Sequence, residues 1–136
     1  MNLTYKMPNK SKKILTEISA GELLDKISIL EIKLDKIKDK GKLIEINKEY
    51  KSLEETKKSN IKINENLQKL INQLREINLQ LWNIEEGKRK CEKNADFGDN
   101  FIQLSRNVYK SNDQRAKIKS DINKMLGSNI KEVKSY

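Results

Sequence analysis

The sequence contains no histidine, one cysteine (Cys91), one proline (Pro8), five glycines and only 5% aromatic residues in a chain of 136. Each scarcity excludes something. Without histidine there is no imidazole base, no Ser-His or Cys-His nucleophile pair and no imidazole metal ligand. A single cysteine closes no internal disulfide and builds no cysteine zinc site, and a lone thiol suits a reducing compartment. The near absence of proline and glycine leaves long helices uninterrupted. No apolar run reaches the roughly 18 residues of a membrane span. The opening MNLTYKMPNKSKK has the charge but not the apolar core of a signal peptide. The expected location is therefore cytoplasmic, and neither a metal nor another cofactor is expected.

What is present is periodic. In Leu67 to Lys93 the apolar residues Leu67, Leu70, Leu74, Ile77, Leu81 and Ile84 are spaced 3, 4, 3, 4 and 3. That is the seam of a helix packed lengthwise on another. Hydrophobic residues make up 35% and charged residues 36%, a balance suited to thin helices with narrow seams and wide solvated faces. The fold class is all-α, a set of antiparallel helical hairpins or a coiled-coil-like bundle, in one domain over 14–126. A basic arm over 1–13, read as flexible, precedes it and a tail over 127–136 follows.

The net charge of +9 invites comparison with nucleic-acid binders. The excess is spread along the chain, with no dense basic stripe on any one helix, so nucleic acid is not the expected partner.

Taken in order, Ile14 to Ile18 alternates and is expected to be extended. Ser19-Ala20-Gly21-Glu22 is a capping box, with Ile18 and Leu23 placed as a hydrophobic staple. Helix 1 is expected over 20–39. Its wide apolar stripe (Leu23, Leu24, Ile27, Leu30, Leu34 and Ile37) calls for more than one neighbour. Gly41 is suited to a left-handed cap ending that helix. Helix 2 is expected over 42–58 with a seam of Leu43, Ile46, Tyr50 and Leu53. A turn capped by Ser59 or Asn60 leads to helix 3 over 61–93; the alternative is one continuous helix with a polar gap. Turn residues 94–98 lead to helix 4 over 99–126, with a seam of Phe101, Leu104, Val108, Ile118, Ile122 and Met125. Gly127 and Ser128 end it, and Ile130 and Val133 are candidates to dock the tail.

A tight turn between helices 3 and 4 makes facing residues sum to about 191. Gly87 then faces Leu104, Trp82 faces Tyr109, Glu85 or Glu86 lies near Arg106, Asn78 near Asn112 and Asp113, and Glu76 near Arg115. The apolar seam of helix 4 is thus interrupted by Asn112, Asp113 and Arg115 beside an aromatic pair. Burying such groups costs several kcal/mol unless they pair with one another. Three readings stand. The groups pair and lock the helix register; or they line a polar pocket for an anion or sugar, with Arg106 and Arg115 as donors; or they are solvated surface. The candidate site is Trp82, Glu85, Arg106, Tyr109, Asn112, Asp113 and Arg115. Cys91 is expected to be a packing residue, and Lys88-Arg89-Lys90 a solvated helix end.

Three strings, ISAGELLDKISILEIKLDKI (Ile18 to Ile37), LWNIEEGKRKCEKNADFG (Leu81 to Gly98) and VYKSNDQRAKIKSDIN (Val108 to Asn123), with the terminal EVKSY, resemble an uncharacterised family of small helical proteins of bacteria and marine phages. The resemblance implies no activity. It marks Trp82, Glu85, Phe97, Gly98, Tyr109, Asn112, Asp113 and Arg115 as matching the family pattern. It also implies a link to glycosyltransferase-like and tetratricopeptide-like proteins of surface polysaccharide synthesis, and hence a possible glycosyltransferase-type partner. The expected function is a non-enzymatic interaction or scaffold module; the alternative is an anion- or sugar-binding or enzymatic bundle with its polar site between helices 3 and 4. Because helices 1 and 2 are shorter than helices 3 and 4, apolar seam is left uncovered, and a homodimer is expected.

Overall fold

The computed structural model describes residues 12–135. It contains four helices and, among the described residues, no strand: α1 (Ala20–Lys36), α2 (Lys40–Asn60), α3 (Glu65–Lys93) and α4 (Asp99–Leu126). The basic arm falls almost entirely outside the described residues. Ile14 and Leu15 are almost fully exposed and form no regular element.

The helix ends follow local chemistry. Ser19 caps α1, its hydroxyl accepting from the Glu22 backbone N–H at 3.2 Å. The other half of the expected capping box is diverted, because the Glu22 carboxylate takes the Lys119 ammonium at 2.7 Å. Gly41 does not end α1. The helix stops at Lys36 with Ile37 in extended conformation, and Asp39 caps α2 by accepting from Lys42 N at 3.1 Å, which puts Gly41 inside the first turn of α2. A carboxylate one turn before free backbone N–H groups outcompeted the glycine signal. α2 and α3 are separate, as expected, but the cap is Asn64, accepting from Leu67 N at 2.8 Å, while Ser59 and Asn60 lie in the last turn of α2. Gly127, at φ 64°, ends α4 in the left-handed conformation that glycine adopts at least cost.

α1 packs against α2, α3 and α4, as its wide stripe required, whereas α2 packs on α1 alone and buries no residue. The core is Leu24 of α1, Leu67, Leu74 and Ile77 of α3 and Ile122 of α4. It occupies the first half of α3 and the last half of α4. Beyond it α3 and α4 continue as an antiparallel hairpin arm. The facing register holds there: a Cβ on Gly87 would meet Leu104 Cδ1 at 3.1 Å. At about 1.5 Å per residue, the 29 residues of α3 span roughly 44 Å and the 17 of α1 only about 25 Å, so α1 covers little more than half of α3.

The tail does not dock through its apolar residues; Ile130 and Val133 are exposed. Polar groups hold it instead. Ser128 Oγ accepts from Ala20 N at 2.9 Å, Asn129 Nδ2 donates to Glu17 at 2.9 Å, and Lys119 Nζ donates to Glu132 at 3.2 Å. No helix among the described residues is long and apolar enough to cross a membrane.

Candidate functional site

The polar layer is real, and its centre is a residue on α1. Asp25 is 1% exposed. It sits on the stripe Gly21, Asp25, Ser28, Ile32, which faces α4 and α3. Gly21 sets the approach. A Cβ there would come within 2.5 Å of the Lys119 carbonyl oxygen, so only glycine lets the helices close to this distance. The Gly21 N–H donates to Asn123 Oδ1 at 2.6 Å across the same contact.

Closed up in this way, α1 carries the Asp25 carboxylate onto the cations of α4. Arg115 donates through Nε to Oδ1 at 2.9 Å and through Nη2 to Oδ2, the forked geometry that suits a carboxylate. Asn78 of α3 donates to Oδ1 at 2.9 Å and to Ser28 Oγ at 3.3 Å. Lys119 Nζ stands 3.8 Å from Oδ2 and bonds Glu22 and Glu132. Donating to the Asp25 carboxylate raises the Arg115 pKa above its ordinary value, against the desolvation that opposes it. Burial pulls Lys119 down, but its bonds to Glu22 and Glu132 and the charge of Asp25 outweigh this and leave it raised. Both cations are therefore held charged. A carboxylate that accepts three hydrogen bonds between two cations is held ionised and is a weak base.

Beside this layer, where α1 stops covering α3, lies a surface cleft of about 470 Å³. Its walls are Ile29, Ile32, Leu81 and Trp82, its base Asn78 and Arg115, and its rim the exposed Glu85, Glu86 and Arg89. The Trp82 indole N–H is shielded from solvent and has no acceptor among the described residues. A dry unpaired donor costs about 1–3 kcal/mol.

The expected site residues are thus divided. Arg115 and Asn112 meet, Nη1 donating to Asn112 Oδ1 at 3.4 Å, and Asn78 joins Arg115 on Asp25. Arg115 turns to Asp25 of α1, not to Glu76 of α3. Trp82, Glu85 and Arg115 line the cleft; Arg106, Tyr109, Asn112 and Asp113 do not. Glu85 lies 3.9 Å from Lys88 rather than beside Arg106, Tyr109 is about half exposed, and Asp113 lines a separate depression with Lys119 and Glu132. Cys91 is buried, as a packing residue is, and Asn100 Nδ2 lies 3.6 Å from its sulfur.

Asp25, Lys119, Glu22 and Glu132 were not among the expected site residues. Heptad spacing points only to partners across the turn between α3 and α4, and these four belong to the contact of α1 and the tail with α4. A signal for Asp25 existed: it lies four residues after Gly21, three before Ser28 and seven before Ile32, inside the buried stripe. Among the described residues no group of three or more Cys, Asp or Glu is arranged to hold a metal ion.

A family model covers residues 14–136 of the chain, that of a family of unknown function. No curated protein and no solved structure matches the chain.

Proposed function

Because the chain belongs to this family, DUF6165, and no activity comes with membership, we propose from its geometry that it is a non-enzymatic helical interaction module acting as a homodimer. One observation carries the reading: the buried charges are answered within the molecule, while the arm beyond α1 leaves large apolar groups in solvent. Asp25 is shared among Arg115, Asn78 and Lys119. This is the behaviour of a polar layer that selects one helix register, at some cost in stability. Phe97, Ile102 and Tyr109, by contrast, are each about half exposed on the arm. Ile102 and Tyr109 are seven residues apart, on one stripe of α4, where a second copy can cover both. A glycosyltransferase-type partner and a bacterial or phage host belong to this reading through the resemblance alone, and a pull-down from the native host tests that part.

Light scattering at micromolar concentration is the direct test. Twice the 15.9 kDa chain mass is expected for the wild type, and the monomer mass for an Ile102→Glu, Tyr109→Glu variant of unchanged helix content. A wild-type mass near 15.9 kDa would remove the dimer.

A further inference from the structure

The cleft at Trp82 belongs neither to the self-paired layer nor to the Ile102–Tyr109 stripe. It exists because α1 runs out before α3 does, so its walls include the half-covered seam residues Ile29, Leu81 and Trp82, beside the buried Ile32. Its size falls in the range of small-molecule sites, roughly 300–1,000 Å³. Two features narrow the occupant. The walls ask for an apolar body. The rim holds charges of both signs one helical turn apart, Glu86 and Arg89, and neither has an ion-pair partner among the described residues.

Other chemistries fit less well. A simple anion would find Arg89 on the rim but leave the apolar walls and Glu86 unanswered, and Arg115 is already held by Asp25 through two nitrogens. A metal ion would find only Glu85 and Glu86, and Glu85 leans toward Lys88 at 3.9 Å. A purely apolar guest would leave Glu86 and Arg89 unanswered. The geometry points to a small zwitterion with an apolar body, of the chemical class of an apolar α-amino acid. Its side chain lies between Trp82 and Ile29, its ammonium meets Glu86, and its carboxylate takes Arg89.

Trp82 is the only tryptophan, so its emission reports this cleft alone. The test is a titration of the full chain, excited where phenylalanine is transparent, with L-phenylalanine, phenethylamine (no carboxylate) and 3-phenylpropanoate (no ammonium). A saturable emission shift is expected with L-phenylalanine, and binding about tenfold weaker for each analogue, the worth of one lost charged contact. Glu86→Gln should weaken L-phenylalanine and phenethylamine and spare 3-phenylpropanoate; Arg89→Gln should weaken L-phenylalanine and 3-phenylpropanoate and spare phenethylamine. Both side chains are exposed, and an unchanged melting midpoint shows that the variants fold. No saturable shift with L-phenylalanine overturns the proposal, as does an analogue that binds equally well. An emission that instead moves with protein concentration and ignores L-phenylalanine assigns the cleft to a second copy, and also overturns it. Repeating the titration on the Ile102→Glu, Tyr109→Glu variant keeps the result independent of self-association.

Discussion

Replacing Asp25 with alanine tests the polar layer most severely. The carboxylate is 1% exposed and receives Arg115 through two nitrogens and Asn78 through one, with Lys119 at 3.8 Å. Removing one partner of a buried ion pair costs about 3–5 kcal/mol, mostly for the groups left behind. Here those groups differ. Lys119 keeps Glu22 at 2.7 Å and Glu132 at 3.2 Å, so it loses little. The Arg115 side chain is 27% exposed and recovers some hydration. The Asn78 amide keeps only the longer bond to Ser28. The loss therefore falls at the lower end, about 3 kcal/mol. For a chain of this length that lowers the melting temperature by about 9–15 °C. Thermal and urea unfolding followed by circular dichroism measure it, in a cycle with Arg115→Ala and the double variant. The two single losses should exceed the double loss by about 1–3 kcal/mol, because both remove the same contact. A cost for Asp25→Ala below about 1 kcal/mol, or losses that simply add, would refute the layer as the lock between α1 and α4.

Three further outcomes follow from the same geometry. Gly21→Ala should destabilise by about 1–3 kcal/mol, since its Cβ meets backbone and not a movable side chain, whereas Gly41→Ala in the exposed first turn of α2 should stabilise by about 0.4–1 kcal/mol; the two urea midpoints move in opposite directions. Lys119 titrates higher in the folded chain than its ordinary 10.5, so its contribution is complete below that value and is lost as pH rises through the raised one; the stability difference between wild type and Lys119→Met, measured by urea unfolding, should be constant at neutral pH and shrink above about 10.5. Leu74→Ala, at a fully buried position of the core cluster, should cost about 2–5 kcal/mol in the same assay, against less than about 0.5 kcal/mol for Ile44→Ala at the surface.

The helices and the α3–α4 register were legible from one dimension because they depend on local chemistry. Heptad spacing placed the seam of Leu67, Leu74 and Ile77, Ser19 marked the start of α1, Gly127 the end of α4, and a tight turn forces residues such as Gly87 and Leu104 opposite each other. Seam spacing within one hairpin says nothing about which carboxylate arrives from another helix. That Arg115 would meet Asp25, 90 residues away, depended on α1 settling across both long helices, and on Gly21 allowing the backbones close enough for a buried charge to be answered. The cleft has the same origin: helix lengths are local, but the point where α1 leaves α3 bare is set only when the two are packed.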